Sequence, residues 1–454
     1  MTQPRPNILY LHSHDTGRYV QPYGYAVDTP NYQRLAEDGI LFRNAFSAAP
    51  TCSPSRAALL TGQCPHSAGM IGLAHRGFTL HDPSQHLATT LRDHGYRTIL
   101  AGVQHVTTGD PNTLGYTEAL PRPDRGADAT AADAVEAIRR AADAPGTPFF
   151  IDVGFFETHR PFPETGNVDA RYVRPPAPFP DTPETRGDMA AYHAEVRKLD
   201  AAAGRILDAL DETGLAANTL VVCTTDHGLA FPAMKCNLTD HGTGVLLILR
   251  GPGPFRGGRV ADALVSHVDL YPTICDLLGI EPPTWLQGRS LMPLARGEVD
   301  AVNDQVFAEV TYHAAYEPQR SVRTDRWCYI QRFDARDTPV LPNCDESPTR
   351  DLWLAHGWEH RRIDPEQLYD TVFDPNQVHN LASDPDLAGV REDLRQRLHE
   401  WMVATDDPLL QGTVQLPAGA MANPPTGRSP LLDDLLVGQP DGSVTVIPNP
   451  ATSR

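Results

Sequence analysis

The stretch Asn7-Ile8-Leu9-Tyr10-Leu11-His12-Ser13-His14-Asp15 decides how the rest of the chain is read. A short apolar run of strand length ends abruptly in ionisable side chains. Similar runs at 98–102, 148–153, 219–223 and 245–249 predict further strands. His105 follows the first of these, His159 the second, and Asp226 with His227 the third. Amphipathic stretches of helix length lie at 31–38, 55–61, 87–94, 129–142, 186–210, 268–278 and 387–403. Pro30 and Gly39 bracket the first of them in the usual Pro-first, Gly-last order. The alternation predicts an α/β fold with a largely parallel sheet covered on both faces. In such folds the loops leaving the carboxyl ends of the strands build the site, and the ionisable residues sit on those loops.

The composition shifts after about residue 293. Shorter strands at 306–310, 321–323 and 327–333 then precede one long helix, as in a smaller α+β domain. The expected organisation is a catalytic α/β domain over 1–300, an α+β subdomain over 301–405, and a Pro/Gly-rich tail over 406–454 that wraps the surface or packs on a neighbour.

The 454 residues carry 38 Lys+Arg against 57 Asp+Glu, a net charge of −19, which argues against a nucleic-acid or anionic-membrane partner. An anionic substrate is not excluded, since a pocket can be locally positive. Lysine occurs only at Lys198, on an amphipathic stretch, and at Lys235. No run of ~18 apolar residues predicts a membrane span. The start lacks a secretory h-region, so a cytoplasmic location is expected. Seven cysteines, an odd count with no CxxC pair, fit a reducing compartment and argue against a disulfide framework or a structural zinc site.

The sharpest local feature is Thr51-Cys52-Ser53-Pro54-Ser55-Arg56-Ala57-Ala58-Leu59-Leu60-Thr61-Gly62. It places a cysteine at a helix start, with Ser53 able to cap and Pro54 suited to the first turn. Free N–H groups and the positive dipole end favour an anion there, and Arg56 adds a forked cation for sulfate or phosphate oxygens. C-x-P-S-R-x-x-x-L-T-G resembles the defining motif of the type I sulfatases at every defined position. The loops at His14-Asp15 and Thr225-Asp226-His227-Gly228, and the later blocks VSHVDLYPTICDLLG (265–279), Leu368-Tyr369-Asp370, Asp374-Pro375 and Asn380-Leu381, extend the resemblance over most of the chain. Within the family, CSPSRAALLTG–PH–GM–GL, HRPF at Arg160 and SVRT at Arg323 are most similar to heparan N-sulfatases (N-sulfoglucosamine sulfohydrolases).

The resemblance implies an alkaline-phosphatase-like three-layer α/β fold with a smaller C-terminal α+β domain. It implies that a separate formylglycine-generating enzyme oxidises Cys52 to formylglycine. One hydroxyl of the aldehyde hydrate then attacks sulfur, and the second later expels sulfate. Asp15, Asp226 and His227, with the oxidised Cys52, correspond to the ligands of one divalent cation. Ca²⁺ is the family's metal and Mg²⁺ also suits oxygen donors. His14 stands where the family has a second Asp, which moves the preference toward Mn²⁺ or Zn²⁺. Arg56 is expected to stabilise the hydrate and the sulfate, His105 to assist collapse of the sulfo-enzyme, His159 to protonate the leaving group, and Lys235 to bind sulfate. Val103 replaces a family Lys in Gly102-Val103-Gln104-His105, removing one cation from the sulfate site. Arg160, His241 and Arg323 are candidates for gripping the remainder of a substrate. His12 reads as an ordinary strand-end histidine.

The expected substrate is a sulfated carbohydrate, with an N-sulfoglucosamine-type sulfamate favoured, or a small sulfate ester. The second reading is a phosphonate monoester or phosphodiester hydrolase of the same superfamily, with which His227 is compatible. The third is a non-catalytic relative that binds sulfated glycans. It would be expected to have lost Cys52, a metal Asp or Arg56, and all are present. The sequence does not fix an oligomeric state.

Overall fold

A computed structural model describes residues 5–120, 126–162 and 165–450. Eight strands form the main sheet: β1 (Asn7–Ser13), β2 (Ile40–Phe46), β3 (Arg97–Gly102), β4 (Glu118–Ala119), β5 (Phe149–Gly154), β6 (Thr219–Thr225), β7 (Leu247–Arg250) and β8 (Arg259–Ser266). Their order is β4-β3-β5-β1-β6-β7-β2-β8. All neighbours are parallel except around β7, which runs antiparallel to both β6 and β2.

Side chains alternate across the sheet, and the alternation sorts the core into two layers. Ile8 and Tyr10 of β1 join the cluster holding Leu59, Leu91 and Ile274, so the helices Cys52–Thr61, Leu87–Asp93 and Leu270–Leu278 cover that face. Leu9 and Leu11 join Leu35, Ile138 and Leu199 beneath the helices Pro30–Asp38, Ala127–Asp143 and Pro183–Glu212 on the other. The sequence reading missed β2 and β8. Arg43 and Asn44 interrupt the apolar run of β2, and the first half of β8 is solvent-facing, so neither shows a clean strand pattern.

A second sheet is antiparallel, in the order β12-β11-β10-β9, from β9 (Val306–Tyr312), β10 (Tyr316–Arg323), β11 (Trp327–Arg332) and β12 (Glu366–Asp370). The helix Ala388–Ala404 buries Leu394, Leu398 and Met402 against Val322, Tyr329 and Leu368 of that sheet. In the last part of the chain, three short strands pair at 421–422, 435–438 and 444–447. Leu416, Ala420 and Ala422 pack into the core of the main sheet. All seven cysteines are buried and unpaired. Among the described residues no helix is long and apolar enough to cross a membrane.

Candidate active site

Register places the site. His12 of β1 lies level with Gly154 of β5, Ser13 with Thr225 of β6, and Gly102 of β3 with Gly154. The loops carrying His14 and Asp15, His105, His159, and Asp226 and His227 therefore leave one edge of the sheet side by side. Gly154 permits this crossing, because a Cβ there would sit 1.7 Å from the Val103 carbonyl oxygen. Among the non-glycine residues described with positive φ are Asp15 (51°), His105 (55°), Ala233 (57°) and Cys236 (66°), all in these loops. Strain gathered in this way marks a functional site.

The helix Cys52–Thr61 points its first turn into the same edge, and every residue of it is buried. Ser53 does not cap the helix; its hydroxyl accepts from the Ala74 N–H at 3.0 Å. Ser55 donates to the Asp226 carbonyl at 2.5 Å and ties the helix to the β6 loop. Cys52 Sγ lies 3.3 Å from His227 Nε2 and 4.0 Å from Asp15 Oδ1. His227 Nδ1 donates to the Gly228 carbonyl at 3.0 Å, which leaves Nε2 with its lone pair facing the cluster, 3.2 Å from Asp15 Oδ1. Asp226 Oδ1 accepts from the Asp15 and His227 N–H groups, while Oδ2 accepts from Arg56 at 3.0 Å. Arg56 also donates to the Ser13 carbonyl at 2.9 Å and bonds His12 Nδ1. Lys235 Nζ bridges Asp15 Oδ2 at 3.2 Å and Asp345 Oδ2 at 3.1 Å.

This donor set fits a divalent cation. One ligand atom from each of His14, Asp15, Cys52 and Asp226 falls within 4.8 Å of the others. His14 Nδ1 is 3.1 Å from Asp226 Oδ2, yet neither buried ring nitrogen of His14 makes a hydrogen bond. Buried polar atoms are normally paired, so an imidazole left free between two carboxylates fits a ligand awaiting a metal. Burial, reinforced by the Arg56 charge, holds the His14 imidazole well below its ordinary range and keeps it neutral. Burial alone would raise the Asp226 carboxyl, but the Arg56 guanidinium bonded to it outweighs this and holds the group ionised. Burial pushes the Cys52 thiol well up, and Asp15 and Asp226 add to this against Lys235. The unmodified thiol is therefore a poor nucleophile.

Histidines ring the cluster. The His14 ring is 5.6 Å from that of His105 and 5.5 Å from that of His159. His159 Nδ1 donates to the Arg160 carbonyl, which turns Nε2 toward Asp15 Oδ2 at 4.0 Å. His105 Nε2 bonds His75 Nδ1 at 3.0 Å, and burial holds both rings well below the ordinary histidine range.

The Sulfatase family profile matches residues 6–280 of the chain. The chain belongs to the sulfatase family. A profile described as N-sulphoglucosamine sulphohydrolase, C-terminal, matches residues 235–352 of this sulfatase. The sulfatase is 32% identical to human N-sulphoglucosamine sulphohydrolase, over 89% of its own length and 91% of the relative's. A solved structure described as in complex with its substrate D-glucosamine-2-N,6-O-disulfate has a TM-score of 0.69 at 19% identity, covering 89% of this chain and 98% of that one. The phosphonate monoester hydrolase of Agrobacterium radiobacter has a TM-score of 0.67 at 22% identity, covering 92% and 99%. These two likenesses show the alkaline-phosphatase-like fold. The family and its curated relatives make the chain a hydrolase of sulfate esters or sulfamates.

Three candidates do not reach the centre of the sulfatase. Arg160 is buried and forks onto Asp188 at 2.7 and 2.8 Å, bonds the Ala230 carbonyl, and lies over the rings of Phe162 and Phe231. Arg323 grips Asp240 at 3.1 and 3.2 Å and stacks over Phe46. Both guanidinium groups are committed to partners within the protein. His241 bonds the Tyr19 hydroxyl through Nδ1 and the Asn376 carbonyl through Nε2, each at 3.1 Å. It lines a cavity of about 330 Å³ shared with Trp353, Arg361 and Tyr369, whose wall includes Lys235 but not Cys52.

The sequence reading also missed site residues. His12 is not an ordinary strand-end histidine. Its Nε2 bonds Asp152 Oδ1 at 2.7 Å, and Tyr116 donates to the other oxygen, so Arg56 is backed by a buried His12–Asp152–Tyr116 chain. The signal was parity: residue 12 shares a face with Ile8 and Tyr10, the face that the Arg56 helix covers. His75, Phe156 and Asp345 carried no such signal, because only the folded loops bring them to the cluster.

Proposed function

We propose that this sulfatase removes sulfate from a sulfated amino sugar, with N-sulfoglucosamine as preferred substrate, using formylglycine at position 52 and one divalent cation. The observation that carries the mechanism is the buried Cys52 beside His14, Asp15, Asp226 and His227, with both ring nitrogens of His14 left without a hydrogen bond. The likeness to the human relative supports the choice of substrate.

A formylglycine-generating enzyme is the maturation partner, and the hydrated aldehyde supplies the oxygen nucleophile that the thiol does not. A divalent cation held by His14, Asp15, Asp226 and His227 would polarise the sulfuryl group. The two imidazole donors favour Mn²⁺ or Zn²⁺ over Ca²⁺ or Mg²⁺. Lys235 holds the sulfuryl oxygens by charge. Arg56 holds Asp226 in place through its 3.0 Å bond and is itself fixed by His12. His159 carries a proton at Nε2 to the departing nitrogen or oxygen. His105, buried and neutral beside His75, exchanges a proton with the nucleophile oxygen.

The second reading is a phosphonate monoester hydrolase, supported by the likeness in fold to the Agrobacterium radiobacter enzyme. The test compares N-sulfoglucosamine, an O-sulfated glucosamine and a phenyl phosphonate monoester on formylglycine-bearing enzyme. A kcat/KM at least about tenfold higher on N-sulfoglucosamine supports the proposal, since ~1.4 kcal/mol of differential transition-state binding suffices. The reverse order would replace it with the second reading.

A further inference from the structure

Asp345 stands out as a carboxylate that the mechanism above does not use. It lies on the short link between the turn Leu341–Asn343 and the helix Pro348–Ala355, outside the main sheet. This link brings it to the nucleophile cluster, where its Oδ2 sits 3.1 Å from Lys235 Nζ. The Lys235 side chain is 2% exposed, whereas that of Asp345 is 22% exposed, with its Oδ2 buried against the lysine. Apart from Lys235, no N–H or O–H among the described residues donates to its carboxylate. His313, from the turn between β9 and β10, is buried beside it with Nδ1 unpartnered. Burial would raise the Asp345 carboxyl, but the Lys235 ammonium beside it outweighs this and holds the group ionised, well below the ordinary carboxylate range.

A fixed negative charge beside a sulfate-binding lysine works against the anion that the pocket must take. Its two neighbours explain where it can be useful. Lys235 marks the sulfuryl side, and His159 marks the leaving-group side. With those roles, Asp345 would meet the substrate where the sugar joins the sulfuryl group. An amino sugar is rich in O–H and N–H donors at that boundary, and an ionised carboxylate is the strongest acceptor available to them.

We propose that Asp345 is a specificity residue, accepting a hydrogen bond from the sugar hydroxyl or sulfamate N–H next to the sulfuryl group. The inference rests on the sulfated-sugar reading above. It explains how the second sheet region, through one side chain, selects the substrate of a site built by the first. A site built around such an acceptor discriminates against substrates without the matching donor.

The test compares N-sulfoglucosamine with 4-nitrophenyl sulfate, which offers no donor, in wild type, Asp345→Ala and Asp345→Asn. Formylglycine content and Tm are checked for each protein. For Asp345→Ala the ratio of kcat/KM on the sugar to kcat/KM on the aryl sulfate is expected to fall about ten- to a hundredfold, the effect of one hydrogen bond to a charged group. Asp345→Asn, which keeps one acceptor oxygen, is expected to fall by less. The unconverted Cys52 protein gives a second readout: Asp345→Ala should weaken N-sulfoglucosamine binding about tenfold while inorganic sulfate binds no more weakly. An equal fall on both substrates would overturn the inference and make Asp345 a positioning residue for Lys235. An unchanged ratio would overturn it too. A wild type that cleaves the aryl sulfate but no sulfated sugar would overturn the functional reading itself, and the inference with it.

Discussion

Two buried clusters in this molecule are built from the same kinds of residue and do different things. One is the nucleophile cluster of His14, Asp15, Cys52, Asp226 and His227. The other joins His66, Glu309 and Asp407, with Cys64 nearby, and it too brings potential ligand atoms within 4.8 Å of one another. In the second cluster every demand is met from within. His66 donates its backbone N–H to Glu309 Oε1 at 2.6 Å and bonds Oε2 through Nδ1 at 2.5 Å, while Nε2 meets the Thr405 hydroxyl at 2.9 Å. Arg320, fully buried, takes the place a metal would have, with Nε 3.1 Å from Glu309 and 2.6 Å from Asp407. The nucleophile cluster instead leaves both nitrogens of His14 unbonded and keeps Asp15 at positive φ. The residue types do not separate a structural cluster from a reactive one; the state of hydrogen-bond satisfaction does.

The contrast can be broken most severely at Cys52. Cys52→Ala should lower kcat/KM by at least about a thousandfold. The small buried side chain carries no cap or ion pair, so Tm should shift little, and a variant that retains turnover would place the nucleophile elsewhere. The second cluster should behave in the opposite way. Arg320→Met strips Asp407 of its close ion pair and leaves Glu309 to His66 alone, and should cost about 3–5 kcal/mol of stability, measured by urea unfolding. Its folded fraction should keep its KM. A large KM change with unaltered stability would reverse the assignment of the two clusters.

Divalent metal should also tell the clusters apart. At a thousandfold excess over Kd a bound ion stabilises the native state by about 4 kcal/mol, read as a rise in Tm. His14→Ala should remove most of that rise, and His66→Gln should leave it. His14→Asp should move the preference from Mn²⁺ or Zn²⁺ toward Ca²⁺. The smallest expected effect concerns pH. Burial would lower His66, but Glu309 and Cys64 outweigh it and push it from 6.5 up to about 11. A histidine raised on folding stabilises fully below its unfolded pKa, and that contribution is lost as pH climbs toward the folded value. The Tm difference between wild type and His66→Gln should therefore shrink steadily above about pH 6.5. A difference that grows with pH would show that His66 is neutral in the fold.

Much of this was legible in the chain itself, for physical reasons that differ from residue to residue. His14, Asp15, His105, His159, Asp226 and His227 were readable because each directly follows an apolar strand, and parallel strands deliver their exits to one edge. Cys52 and Arg56 were readable because a helix start and its motif are local. The ion pairs of Arg160 and Arg323 could not be read because their partners, Asp188 and Asp240, lie 28 and 83 residues away. Nothing local to an arginine reveals a distant carboxylate. Asp152 and Asp345 were invisible for the same reason. Sheet register brings Asp152 to His12, and a link outside the main sheet brings Asp345 to Lys235. The strand at 245–249 was placed two residues early, and its antiparallel direction was not foreseen; it begins at Leu247.

The central claim is that the cluster is incomplete until position 52 is chemically changed. The most direct measurement is the mass of the peptide containing residue 52, from protein made beside a formylglycine-generating enzyme shown to convert another chain. We expect a peptide in which the cysteine thiol has been replaced by an aldehyde. An unmodified cysteine under those conditions, in protein that still hydrolyses a sulfated sugar, would contradict the account.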